Sequence, residues 1–151
     1  MEGLPVPTPH DTASLGGGSA TTERVTGVAE TIIGAETQAL HRWGAGDPDG
    51  FLDICHPEVT YFDPYNDSRI DGLPVLRRLY EQLRGQVQFD RFEMINPRVV
   101  LGMDLAVLSF NLTSHGANGA CRWNCTEAYR EVEGRWLIIQ THWSLVRPAT
   151  P

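Results

Sequence analysis

CRWNCTEAYREV, residues 121–132, divides under a period of two. Arg122, Asn124, Thr126 and Arg130 fall on one face, and Cys121, Trp123, Cys125, Glu127 and Tyr129 on the other. That is a half-buried β-strand, polar outward and apolar inward. It sets one carboxylate, Glu127, among Trp, Cys and Tyr. A carboxyl so placed is desolvated, which raises its pKa toward the range that general acid–base chemistry uses. Two other readings stay open: Glu127 pairs with an Arg from a helix, or it reaches water at the mouth of a pocket.

The strand sits late in the chain. The first 27 residues are rich in Pro, Gly, Ser and Thr and poor in large apolar side chains, the composition of a disordered leader. The "GGGS" within them lacks a preceding strand and a following Gly-Lys-Ser/Thr, so it is no phosphate loop. From Val28 to Trp43 the spacing is helical, with Ile32, Ile33, Leu40 and Trp43 near one stripe. "GAGDPDG" ends that helix and opens a short second one, with Asp47 as N-cap and Pro48 in its first turn. "EVTYFDP" reads as a strand stopped by Pro64. A third helix follows, with Leu76, Leu79, Tyr80 and Leu83 on one face and Gly85 closing it. The rest is strand: a first one interrupted by Pro97, which marks a bulge or an edge, then three more, with a tight turn at Glu133-Gly134. Helices gathered on one side of an antiparallel sheet make an α+β domain. The expected layout is a leader at 1–27, one domain at 28–147 and a frayed end at 148–151.

Composition narrows the function classes. The net charge is −7, and all 12 basic side chains are Arg. An acidic chain with no basic stripe argues against nucleic acid as a partner. No apolar run is long enough to span a bilayer, so no membrane is expected. Cys55, Cys121 and Cys125 show neither disulfide nor metal-ligand spacing, and read as reduced packing residues of a cytoplasmic protein. No metal motif, nucleophile elbow or dinucleotide fingerprint is present, so any chemistry here is expected to need no metal and no cofactor.

Three stretches carry a resemblance: "GDPDGFLDICHPEVTYFDP", "INPRVVLGMD" and "EGRWLIIQTHWS". In this order they resemble the nuclear transport factor 2-like superfamily. Within it they are most similar to the association (hub) domain of calcium/calmodulin-dependent protein kinase II and its SnoaL-like relatives, over residues 30–147. The resemblance implies a curved antiparallel sheet wrapped on three helices into a cone, a largely apolar internal pocket, and self-association as a homodimer or larger oligomer through the outer sheet face. Three pocket arginines of the hub family match Glu127, Asn111 and Trp143 here. With all three replaced, the implied preference for an anionic ligand does not carry over, and a neutral or cationic ligand is expected.

Three residues are candidates for catalysis. Glu127 is the first. Asp63 follows Tyr61 on the same strand face, and the hub family is acidic there too; it either serves as a pocket base or caps a turn before "PYND". His142 is the third, although strict alternation with Trp143 lining the pocket turns it outward. Alternation also places Trp136 and Ile138 opposite the pocket, as an exposed interface stripe. Candidate ligand contacts are Trp43, Tyr61, Tyr80 and Phe110, with Asn111, Trp123, Tyr129 and Trp143 beside them. The chain thus reads as a small-molecule-binding domain. It is either a cofactor-independent isomerase, cyclase or dehydratase moving a proton on a neutral metabolite, or a non-catalytic binding and association module.

Overall fold

The computed structural model describes residues 17–147. Residues 1–16 of the expected leader and the expected frayed end at 148–151 lie outside the described residues. Three helices precede and interrupt a six-stranded sheet: α1 (Gly17–Gly44), α2 (Asp49–Leu52), β1 (Cys55–Phe62), β2 (Ile70–Asp71), α3 (Leu73–Leu83), β3 (Arg91–Leu101), β4 (Leu105–Gly116), β5 (Gly119–Val132) and β6 (Arg135–Leu145). The sheet is curved and unclosed, ordered β2-β1-β6-β5-β4-β3. Every pairing is antiparallel except β1 with β6, which run parallel. The long path between these two strands leaves room for that crossover.

Helix α1 begins at Gly17, not at Val28. Extending a nucleated helix costs little per residue. The extension is also tied down: the Arg24 guanidinium donates to the carbonyls of Gly102 (3.3 Å) and Met103 (2.6 Å) at the β3–β4 turn. Composition alone could not anticipate a contact 79 residues away. The buried stripe of α1 is Ile32, Glu36, Ala39 and Leu40, with Trp43 partly covered. Helix α2 has no side-chain cap on its N-cap Pro48, but Asp47 Oδ1 accepts the Asp49 N–H at 3.0 Å. Helix α3 buries Leu76 and Tyr80, as its spacing predicts.

On the sheet, β4 alternates strictly, burying Ala106, Leu108, Phe110, Leu112 and Ser114. Strand β5 buries Cys125, Glu127 and Tyr129 and leaves Arg122 and Thr126 exposed, the phase read from the sequence. Two irregularities set the rest. Strand β3 is an edge strand and its register shifts between Ile95 and Arg98, with Asn96 at φ 49°. Strand β6 carries an extra residue: Ala128 faces Gln140, but Tyr129 faces Ile138. Ile139 is the bulge. Ile138 and Thr141 therefore both point inward and are buried. The expected outward stripe of Trp136 and Ile138 is thereby overturned: Ile138 is core, and Trp136 packs against it partly buried. The Glu133-Gly134 turn has both φ values positive, at 51° and 78°, which matches the twist of the β5–β6 hairpin.

Gly46, after α1, has φ +85° and accepts the Gly85 N–H at 2.8 Å. A Cβ there would stand 2.9 Å from the Gly85 Cα, a backbone atom that cannot swing away. Gly46→Ala is expected to cost at least about 1–2 kcal/mol from the left-handed backbone alone, read as a lowered urea midpoint. A wild-type midpoint would mean the junction tolerates a side chain.

Candidate functional site

The helices and the concave face of the sheet enclose a cavity of about 550 Å³. Six elements each contribute an aromatic side chain. Trp43 comes from the last turn of α1, Phe51 from α2, Tyr61 from β1 and Tyr80 from α3; Trp123 and Trp143 come from β5 and β6. The rim is Tyr65, the segment 86–89 and the β4–β5 turn, with Tyr65, Gln86 and Gln88 exposed.

These rings touch in sequence around the wall. Tyr65 meets Trp123 at 6.2 Å between ring centres, and Trp123 meets Trp143 at 6.3 Å. Trp143 continues to Phe51 (6.4 Å) and Phe51 to Trp43 (5.9 Å). Trp43 packs on Tyr80 (4.9 Å), and Tyr80 on Tyr61 (5.6 Å). Most of these pairs are edge-to-face, the arrangement the ring quadrupoles favour.

Asp63 closes the circuit. Its Oδ2 accepts the Tyr61 hydroxyl at 2.8 Å. Its Oδ1 accepts the backbone N–H of Tyr65 (2.9 Å) and of Asn66 (2.8 Å) and the Asn66 side-chain amide (2.9 Å). Asp63 thus caps the turn and lines the cavity at once. It is the one carboxylate on the wall among the described residues, and no Arg, Lys or His joins it. Burial and the Asp63 charge push the Tyr61 hydroxyl up, so Tyr61 stays a donor.

Glu127 lies behind the wall. It is fully buried, and so is Glu36 of α1, directly across from it. The Tyr129 hydroxyl is 2.9 Å from Glu36 Oε2 and 3.0 Å from Glu127 Oε2. One hydroxyl proton serves one of them. Thr141 donates to Glu127 Oε1 (2.8 Å), and the Trp143 indole N–H donates to the Thr141 oxygen (3.0 Å). One arrangement of hydrogens serves both carboxyls: Glu36 keeps its proton and offers it to Tyr129 and Glu127, while Tyr129 and Thr141 donate to Glu127. The unpartnered Oε1 of Glu36 is then a neutral carbonyl, the least costly oxygen to leave bare. Burial, and then the Glu127 charge, push the Glu36 carboxyl well above its ordinary 4.5. Burial raises Glu127 too, against the donors that hold it down. Donor atoms of Glu36, Cys125 and Glu127 lie within 4.8 Å of one another. Each Glu127 oxygen has a hydroxyl donor, and burial pushes the Cys125 thiol up.

The structure thus brings Asp63, Trp43, Tyr61, Tyr80, Trp123 and Trp143 together on one wall. Phe110 and Tyr129 are buried outside that wall, Phe110 against Trp143 at 5.8 Å. Two expected site residues face away. His142 is exposed on the convex side against Phe62. Asn111 is exposed there too, donating to Asn124 at 2.7 Å, because β4 keeps its alternation and Phe110 takes the inward phase. Glu36 went unread. Its signal was spacing: four residues after Ile32 and four before Leu40, it sits mid-stripe.

An open sheet curved around helices over an internal cavity defines the nuclear transport factor 2-like class of folds. The chain matches the SnoaL-like domain family over residues 37–139, and belongs to it. Among solved structures it is similar to a Parabacteroides distasonis protein provisionally assigned as a ketosteroid isomerase (40% identity, 82% of this chain and 91% of that one, TM-score 0.74). It also shares its fold with a nuclear transport factor 2-like protein of unknown function from Pseudomonas putida (19%, 82% and 90%, TM-score 0.72). The same holds for the association domain of C. elegans calcium/calmodulin-dependent protein kinase II (20%, 81% and 98%, TM-score 0.68). No curated protein matches. Among the described residues, no helix is long and apolar enough to cross a membrane.

The acid pair makes stability depend on pH. Folded Glu36 holds its proton at pH values where the unfolded chain has released it. Its contribution is therefore complete below the ordinary glutamate value of 4.5 and is lost as pH rises toward the raised folded value. In Glu36→Gln the amide replaces the proton permanently. As pH rises above the ordinary glutamate value, the variant should lose less unfolding free energy than wild type, measured by urea denaturation. Identical slopes would show that the pair shares no proton.

Proposed function

We propose that this SnoaL-like domain is a small-molecule enzyme that works by proton transfer. A largely apolar ligand, neutral or cationic, enters the aromatic cavity, and Asp63 moves its proton. The observation that carries this reading is Asp63 itself, a carboxylate on the wall of an otherwise uncharged cavity. Three N–H donors fix Oδ1, and Tyr61 fixes Oδ2 while leaving it a free lone pair. Such a base is preorganised: it breaks a C–H bond, holds the proton as O–H, and returns it to a second carbon of the same ligand. The isomerase name given to the P. distasonis relative fits that chemistry. Glu127 does not touch the cavity, so its part is to hold Trp143 through Thr141. Cofactor-independent action and a wall free of cations are consistent with a ligand that bears no negative charge.

The test uses a β,γ-unsaturated ketosteroid, followed by the absorbance of its conjugated product. Asp63→Asn is expected to lower turnover by about 10²–10⁴-fold while product binding holds. Unchanged turnover removes Asp63 from the reaction. Binding without turnover, on this and on simpler unsaturated ketones, leaves a binding module.

A second reading concerns assembly, and it is compatible with the first. Val100 and Val107 face each other on the convex side, 57% and 40% exposed, with Ile95 and Leu105 exposed beside them. We propose that this patch joins two copies of the chain, as homo-oligomer association through the outer sheet would require. Val107→Asp should convert the dimer to monomer in sedimentation velocity; a wild-type chain that sediments as monomer at about 100 µM rejects the interface.

A further inference from the structure

We infer that the cavity selects an organic cation: a tertiary amine or quaternary ammonium on a ring-sized apolar skeleton, held inside the aromatic circuit with Asp63 as its counter-ion. The inference rests on the pocket reading above and narrows its ligand class.

Three observations carry it. The first is closure. Contacts run from Tyr65 by way of Trp123 and Trp143 through Phe51, Trp43 and Tyr80 to Tyr61, and Asp63 joins the two ends by accepting the Tyr61 hydroxyl and the Tyr65 N–H. A ligand in this space meets aromatic rings from six elements of the fold and the rim residue Tyr65, with Leu40, Leu83 and Leu112 between them. Ring faces are negative, and they attract a cation by about 0.5–2 kcal/mol, at the upper end where water is excluded. An apolar core alone would be served equally well by Leu and Val. The second is the charge of the wall. Asp63 is its one formal charge among the described residues, and no cationic side chain neutralises it there. Its hydrogen bonds come from neutral donors, which hold the carboxylate in place without cancelling its charge. The third is size. A cavity of about 550 Å³ exceeds what a bare metal ion or ammonium fills and suits a drug-sized molecule. The chain's net charge of −7 adds a field that draws cations and repels anions.

An isosteric pair isolates the charge. Para-hydroxyphenyltrimethylammonium and para-tert-butylphenol have nearly the same shape and differ by one positive charge. Calorimetric titration of the full chain should show the ammonium binding at least about tenfold more tightly than the phenol. In Asp63→Asn that preference should shrink while phenol affinity holds. Equal affinities, or tighter binding of the phenol, overturn the inference and leave the pocket reading intact. A preference that survives Asp63→Asn unchanged overturns the role given to the carboxylate. Absence of heat from either compound overturns both the inference and the pocket reading. The wild-type comparison stands even where the variant fails to fold.

Discussion

One hydroxyl group joins the buried face of α1 to the sheet. Tyr129, on β5, stands between a carboxyl from α1 and a carboxylate from its own strand, with no solvent at any of the three. Apolar packing by itself fixes neither the rotation of a helix nor its position along a sheet, because it is non-directional. A hydrogen bond in a dry interior is directional, and breaking one there strands its partner. This contact and the Arg24 bonds to the β3–β4 turn hold α1 on the sheet at two points along its length. Trp143 is reached by the same connected donors, so the tall wall of the cavity and the core share one framework.

Much of this was legible from residue order. Alternation in β5 placed Glu127 inward, and the turn residues Glu133 and Gly134 fixed the hairpin that pairs β5 with β6. Asp63 was legible as an acid at a strand end. The rest depended on things that a one-dimensional pattern does not encode. Glu36 looks like any solvated helix glutamate until a partner strand is placed opposite it. Asn111 and Trp143, matched to the same pocket by resemblance, end on opposite faces of the sheet. The start of α1 depends on Arg24 reaching carbonyls that lie far along the chain.

The division between the two acidic sites follows from their surroundings. Asp63 accepts three N–H donors and one hydroxyl beside the cavity. Glu36 has one hydroxyl and a bare oxygen, and is held neutral. A single small domain of this class thus holds two carboxyls in opposite settings, one behind the wall with few donors and one on the wall with four.

Strand β6 bears two inventories of side chains, and the cavity receives only one. Thr141 and Trp143 face in because the backbone spends a residue at Ile139. Had β6 run regularly from Ile138, the interior would instead hold Gln140, His142 and Ser144, an amide, an imidazole and an alcohol. The location of a single backbone irregularity thus acts as a selector between two chemistries already written into the same eleven residues. Relatives of this fold could exchange reagents by sliding that irregularity along the strand, with every wall residue left unmutated.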